Sequence, residues 1–251
     1  FTEGMQHPIL RCMNIILFDR LPPDNLIPAS DFRAEHIRKV LRLQEGDTFR
    51  LGVIDGAPGD ATITRIDDAG VSFTWQETEG PDTPHPVTLL VAQVRPICMK
   101  RILREAVSLG VEELSVAGSD TGERSYREAK LWTSGEYRSY LLDGAMQSGR
   151  TNMPRCTLAS SVDEAIRASS QWKTRLVLDN VLTSEPLSDL EPPETPVLIA
   201  IGPERGWSDR ERALFADHGF RFLSLGPRIL RTETACSAAL AILLGRMGRL
   251  R

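Results

Sequence analysis

The sequence predicts an α/β protein in two parts: a small N-terminal β-barrel, then a larger domain built on a mostly parallel sheet. Three observations predict it. Short apolar or alternating runs, separated by tight-turn residues, fill the chain up to Gln76, with one helical pattern among them. The stretch Glu79-Gly80-Pro81-Asp82-Thr83-Pro84-His85-Pro86 holds three prolines and no apolar period, the mark of a domain boundary. Beyond it, strand-like and helix-like segments alternate, a pattern that builds a parallel sheet with helices on both faces.

In the first part, Ile15–Phe18 opens as a strand. Ile37, Val40 and Leu41 fall on one face of a helix over about Phe32–Leu43. Thr48–Ile54, Ala61–Ile66 and Val71–Gln76 follow as strands, with turns at Asp55-Gly56, Pro58-Gly59 and Asp67-Asp68-Ala69-Gly70. In the second part, Val87–Val94 is a strand and Cys98–Leu109 a helix ended by Gly110. Glu113–Ala117 is a strand, and a long helical stretch covers about Tyr126–Gln147, broken near Gly135 or Gly144. Ser161-Val162-Asp163-Glu164 and Ser208-Asp209-Arg210-Glu211 have capping-box spacing, in which serine bonds the third helical N–H and glutamate bonds back. The first opens a helix to about Ser169, the second a helix closed by Gly219. Arg175–Leu178, Val197–Ile201 and Phe220–Leu225 are strands. Thr234–Arg249 is the final helix, with Ala235, Ala238, Ala239 and Ile242 toward the core.

The 251 residues are 41% hydrophobic and 25% charged, ordinary for a globular protein with a sizeable core. No run of about 18 apolar residues offers a membrane span. Phe1–Arg11 does not read as a signal peptide, and Met13-Asn14-Ile15-Ile16-Leu17-Phe18 looks like a natural start, which would make the residues before it an added extension. Cys12, Cys98, Cys156 and Cys236 are scattered without CxxC spacing, and His7, His36, His85 and His218 are equally isolated. No metal site is expected, and reduced, buried cysteines fit a cytoplasmic protein. The net charge of −4 hides an asymmetry: residues 1–84 carry −6 and the remainder +2. The chain is not a basic nucleic-acid binder in bulk, and any nucleic-acid contact must rely on local patches.

Two loops near the C-terminus hold the clearest chemistry. Ile201-Gly202-Pro203-Glu204-Arg205-Gly206-Trp207-Ser208 and Leu225-Gly226-Pro227-Arg228-Ile229-Leu230-Arg231-Thr232-Glu233-Thr234-Ala235 each leave a strand and enter a helix. Strand ends of this kind are where α/β proteins bind small molecules. Glycine lets a flat ligand approach the backbone, and Glu204 can accept from an amine or hydroxyl. A plain strand-to-helix turn would explain the first loop equally well, and capping alone would explain Thr232 and Glu233. Capping does not explain Arg228 and Arg231 at a helix N-terminus, where cations are disfavoured; they point to an anionic partner.

Together these loops resemble the 16S ribosomal RNA uridine-N3 methyltransferases, the RsmE type of the SPOUT superfamily. His36-Ile37-Arg38-Lys39-Val40-Leu41-Arg42-Leu43 with Gly46-Asp47, Leu109-Gly110-Val111 and Gln147-Ser148-Gly149-Arg150 extend the resemblance over about Ile15 to Gly245. It implies a PUA-like β-barrel over residues 13–80 and a SPOUT methyltransferase domain with a C-terminal trefoil knot over residues 86–251. It implies S-adenosylmethionine (SAM) as cofactor, ribosomal RNA as partner, and a homodimer whose subunits complete each other's sites. By motif match the cofactor residues are Leu178 and Asp179, then Ile201, Gly202, Pro203, Glu204 and Gly206, then Leu225, Gly226, Ile229 and Leu230 with Thr234 and Ala235. The chain departs from the family at Arg205-Gly206, where Gly-Gly is usual, at Ser108, where glutamate is favoured, and at Asp143-Gly144, where Glu-Ala is usual.

The implied reaction moves a methyl group from a sulfonium to an imide nitrogen. Arg231, and after it Arg228, are the candidates to stabilise the uracil anion; Glu204 and Glu233 are the candidate proton acceptors. His36, Arg38, Lys39 and Arg42 are candidate phosphate contacts on the N-terminal helix, as are Arg124 and Arg150 in the second part. A solvated charged face explains the helix residues equally well. The rival functions are methylation of another RNA base and a non-catalytic RNA-binding assembly role, the latter kept open by Arg205.

Overall fold

Alternation of buried and exposed side chains along short strands builds the first of two units in the computed structural model, which describes residues 15–167, 169–182 and 185–250. The segment before Ile15, with the expected start at Met13, lies outside the described residues, as does Ala168 near the expected end of the Ser161 helix. The first unit takes the chain up to Thr83 together with Ala145–Met153; the second takes Pro84–Gly144 and Pro154 onward.

The first unit holds β1 (Ile16–Phe18), β2 (Leu26–Pro28), α1 (Phe32–Glu35), β3 (Thr48–Val53), β4 (Pro58–Asp67) and β5 (Gly70–Glu77). The strands form one curled sheet in the order β1-β3-β4-β5-β2, parallel between β1 and β3 and antiparallel elsewhere. Ala61 and Ile63 of β4 and Val71 and Phe73 of β5 point to one face, where they meet Phe18, Ile27 and Leu51. Ala34 and Ile37 close that core.

Three expectations change here. The single helix over 32–43 is a turn of α-helix, capped by Asp31 through the Arg33 amide at 2.8 Å, followed by a π-helical segment, His36–Leu41. The wider turn rotates Val40 outward, leaving it 64% exposed. Pro58-Gly59 is no turn but the start of β4. A Cβ at Gly59 would stand 2.3 Å from the Gln76 carbonyl oxygen, so this glycine admits a neighbouring strand instead of ending one. The short β2, an edge strand, has no counterpart in the pattern reading.

Residues 145–153 complete this unit. Thr151 donates its hydroxyl to the Gly56 carbonyl at 2.7 Å and its amide to Asp82 at 2.8 Å. Asp55 accepts from the Met153 amide at 2.8 Å.

The second unit runs β6 (His85–Ala92), α2 (Pro96–Ser108), β7 (Val111–Ala117), α3 (Lys130–Thr133), α4 (Tyr137–Ser148, whose last residues belong to the first unit), β8 (Arg155–Ala159), α5 (Val162–Ile166), β9 (Thr174–Leu178), β10 (Val197–Ile201), α6 (Asp209–Asp217), β11 (Arg221–Leu223) and α7 (Thr232–Arg246). Its sheet is parallel throughout, in the order β11-β9-β10-β6-β7-β8. Leu90, Val177, Leu198 and Ala200 face one layer, against Val162 and Ile166 of α5, Phe215 of α6, and Trp172 and Trp207. Their strand neighbours Leu89, Val91, Leu176 and Ile199, also buried, face the other way.

Local chemistry explains most departures. The long stretch from Tyr126 is broken by Gly135, whose φ of +75° ends α3; Gly144 stays helical and lets α4 approach the Arg104 backbone. Ser161 caps α5 through the Glu164 amide at 3.2 Å, but the Glu164 side chain bonds the Ser160 amide instead of closing a capping box. The Ser208–Glu211 box is complete. The final helix starts two residues earlier than expected and buries Cys236, Ala239, Leu240, Leu243 and Leu244; Ala235, Ala238 and Ile242 are only half-buried. Strand β8 was not expected. Among the described residues no helix is long and apolar enough to cross a membrane.

Candidate active site

The ends of three adjacent strands lie side by side: Leu178 of β9 pairs with Ile201 of β10 and with Leu223 of β11. The loops that leave these ends line one pocket at the carboxyl edge of the sheet, the usual ligand position in parallel α/β sheets. Leu178, Asp179, Ile201, Gly202, Pro203, Glu204, Gly206, Leu225, Gly226, Ile229, Leu230 and Ala235 all line it, and so does Arg228. Thr234 is exposed and does not. Asn180, Trp207, Ser224 and Thr232 line it as well, though none was among the expected cofactor residues.

Each loop has a physical reason for its shape. The Trp207 indole packs edge-on against Phe215, with ring centroids 4.9 Å apart, and donates to the Leu178 carbonyl at 3.1 Å. That ring sits beside Gly202, where a Cβ would come 3.2 Å from it. Gly202 is therefore explained first by Trp207. Gly206 takes a φ of +72° and closes a turn by donating to the Pro203 carbonyl at 2.8 Å. Gly226, at φ +93°, faces open space among the described residues: a Cβ there would meet none of their atoms within 4 Å beyond its chain neighbours. Asp179 accepts from the Leu182 amide at 3.0 Å and from Arg212 Nε at 2.7 Å, so its buried carboxylate braces the first loop.

A second cavity adjoins the pocket and shares Glu204 with it. Arg95, Cys98, Thr121, Tyr126, Arg205, Arg231 and Glu233 are among its walls. The Tyr126 hydroxyl, with Glu204 nearby, holds the Arg95 guanidinium above its ordinary range. Burial, then the Glu233 carboxylate, pushes the Cys98 thiol up. Glu233 is itself buried and lies 3.7 Å from Arg101. The cavity's loop is tied to the cofactor-side loop: Thr121 donates to the Gly206 carbonyl at 2.7 Å, and Asp120 accepts from Ser208 at 2.6 Å and from Arg210 at 2.7 and 2.8 Å. Among the described residues no group of three or more His, Cys, Asp or Glu side chains is placed to hold a metal.

The RNA methyltransferase domain family matches residues 81–244, and the RNA methyltransferase PUA domain family matches residues 32–74. Ribosomal RNA small subunit methyltransferase E of Treponema pallidum is 34% identical over 92% of this chain and 91% of its own length. The chain belongs to the ribosomal RNA small subunit methyltransferase E family. Its Borreliella burgdorferi relative, methyltransferase E 1, is 28% identical over 94% of this chain and 99% of its own. A Legionella pneumophila protein solved in complex with the bound cofactor SAM is 26% identical, with a TM-score of 0.75 over 93% of this chain and 97% of that one. The Neisseria gonorrhoeae methyltransferase E bound to S-adenosyl methionine shares the fold, with a TM-score of 0.78 at 22% identity over 93% of this chain and 97% of that one.

As a member of the methyltransferase E family, the chain carries its remaining candidate residues in four settings. Arg38 donates to the Gly70 carbonyl at 2.8 Å and to that of Asp67, so one guanidinium nitrogen serves the β4–β5 turn. Lys39 pairs with Glu35 at 2.8 Å on the surface, and His36 Nε2 is enclosed with no hydrogen-bond partner among the described residues. Arg150 pairs with Asp82 at 2.9 Å. Arg42 and Arg124 are exposed. Arg205, the departure from the family's Gly-Gly, is exposed and lines the second cavity; it is absent from the walls of the first.

Proposed function

We propose that this chain methylates N3 of a uridine in small-subunit (16S) ribosomal RNA, using SAM held in the pocket between the β9, β10 and β11 loops. The observation that carries this reading is the pair of adjoining cavities joined at Glu204. One is lined mainly by glycines and apolar side chains; the other carries Arg95, Arg205 and Arg231 together with Glu123, Glu204 and Glu233. The fit to SAM rests on the first. Leu178, Ile201, Leu225, Ile229 and Leu230 offer apolar walls, and Gly226 opens onto free space. The trefoil knot implied by the family resemblance belongs to the same reading.

Bound SAM supplies an electrophilic methyl group on a sulfonium. The acceptor nitrogen is an imide, so it gives up its proton as the N–C bond forms and the S–C bond breaks. Glu204 stands where the two cavities meet and takes that proton. Glu233 is the weaker acceptor, because it is enclosed beside Arg101 and Cys98. Arg231 faces the acceptor cavity and donates to the carbonyl oxygen that carries the developing charge. Arg228 lines the cofactor pocket and is the second choice. Asp179 acts by bracing the first loop.

A homodimer in the cytoplasm completes the reading. Ile229, 85% exposed at the pocket rim, supports coverage by a second copy. The test is mass spectrometry of ribosomal RNA from a deletion strain, with calorimetry of the purified protein and SAM. One 3-methyluridine should vanish from small-subunit RNA and return on complementation. An unchanged methylation profile would overturn the assignment; absence of SAM binding would favour an assembly role.

A further inference from the structure

We infer that the cavity beside the cofactor pocket seats the target nucleotide flipped out of the RNA, with Tyr126 stacking on the uracil and Arg95 holding its phosphate. This rests on the methyltransferase reading above and adds to it two residues that no motif marks.

Four observations converge. First, methyl transfer needs donor and acceptor in contact across one wall, and the second cavity meets the cofactor pocket at Glu204. Second, its side chains match a nucleotide: guanidinium groups at Arg95, Arg205 and Arg231 for phosphate, and an aromatic ring at Tyr126 for a base. Third, Arg95 and Arg231 stand at the N-cap positions of α2 and α7, and neither makes a side-chain cap. Glu233 in the first turn of α7 offsets one of these positive ends, whereas the first turn of α2 holds no acid, so Arg95 is the arginine left for an anion. Fourth, the Tyr126 segment is held on both sides. Gln93 donates to the Tyr126 carbonyl at 2.8 Å, and Thr121 binds the Gly206 carbonyl of the cofactor loop. The phenol and Arg95 line the same cavity. A backbone anchored before RNA arrives sets where the ring can stand, which base selection requires.

An enzyme acting on a base inside folded RNA must extrude it, and an unstacked base needs a replacement stacking surface. A half-buried tyrosine in a cavity that also holds three arginines, set among Glu123, Glu204 and Glu233, provides one.

The test uses full-length protein and a small-subunit RNA fragment carrying 4-thiouridine at the methylated position. Photo-crosslinking followed by peptide mapping should attach the nucleotide within the Tyr126 peptide. Tyr126→Ala should lower kcat/KM for RNA by about 10- to 100-fold, the range of one lost stacking contact, while Tyr126→Phe keeps most of it. Arg95→Ala should raise KM for RNA and reduce the salt slope by about 0.7, one phosphate on a single strand. SAM affinity and melting temperature should stay at wild-type values in all three. A crosslink on another element, or a Tyr126→Ala protein with wild-type kcat/KM, would overturn the inference. A wild-type protein that crosslinks at Tyr126 yet methylates no uridine would instead overturn the functional reading and leave the cavity's assignment standing.

Discussion

The Trp207 indole donates to the Leu178 carbonyl at 3.1 Å and so ties the cofactor-side loop after β10 to the last residue of β9. The ring cannot move away from Gly202 without losing that bond. Gly202→Ala would place a Cβ 3.2 Å from it. The expected cost is about 1–3 kcal/mol of stability, with a larger proportional loss of SAM affinity because the displaced loop is the pocket wall. Calorimetry beside thermal melting measures both; wild-type affinity in this variant would separate Gly202 from the pocket.

Arg231→Ala should reduce turnover by about 10²–10³-fold, as loss of one donor to a developing anion does. Arg231 does not line the cofactor pocket, so SAM binding should persist. Single-turnover methylation with saturating SAM reads the effect directly, and near-normal rates would remove Arg231 from the chemistry.

The two arginines of the N-terminal helical segment should behave differently. Arg38→Ala removes donors to the Gly70 and Asp67 carbonyls and should destabilise the first unit by about 1–3 kcal/mol. Arg42→Glu touches no bonded partner in the described residues. It should weaken RNA binding and flatten its salt dependence at unchanged melting temperature. Filter binding across a salt series checks the pair; an unaltered slope for Arg42→Glu would make that face merely solvated.

Acid should loosen the clamp between the two loops of the site. Arg210, with help from Ser208, holds the Asp120 carboxyl below its ordinary value of 3.8. A carboxyl lowered by folding stabilises the fold above its unfolded value and stops doing so as pH falls through the folded one. The clamp is therefore complete at neutral pH and lost only in strong acid. Asp120→Asn should flatten the acid limb of a urea-midpoint profile; a variant profile parallel to wild type would deny the clamp any such contribution.

Gly59→Ala forces a methyl group against the Gln76 carbonyl and should cost about 3 kcal/mol or more, because backbone sits on both sides of the clash. Differential scanning calorimetry should show it as an early transition.

What the sequence disclosed follows from how local each signal is. Strand β10 and the Ser208–Glu211 box were legible because an apolar run and a three-residue spacing are complete in themselves. Arg155–Ala159 was not, because an edge strand of mixed residues has no period until β7 lies beside it. The cofactor loops were legible as glycine and proline punctuation, yet the reason for Gly202 was hidden: it depends on a tryptophan ring set by a carbonyl from another strand. Arg95 and Tyr126 were missed for the same reason. They are 31 positions apart, and only the fold puts them in one cavity. Arg205 kept a non-catalytic role open because sequence adjacency to Glu204 and Gly206 says nothing about which side of the turn a side chain takes.

The return of Ala145–Met153 to the first unit sets an order of events during synthesis. Thr151 fills space that Gly52 leaves open, and it satisfies the Gly56 carbonyl and Asp82. The N-terminal sheet must wait, with that side unfilled, until the ribosome has released the Pro84–Gly144 part of the second unit. A nascent chain halted after the proline-rich linker should be open to protease, and one halted beyond Met153 should resist it.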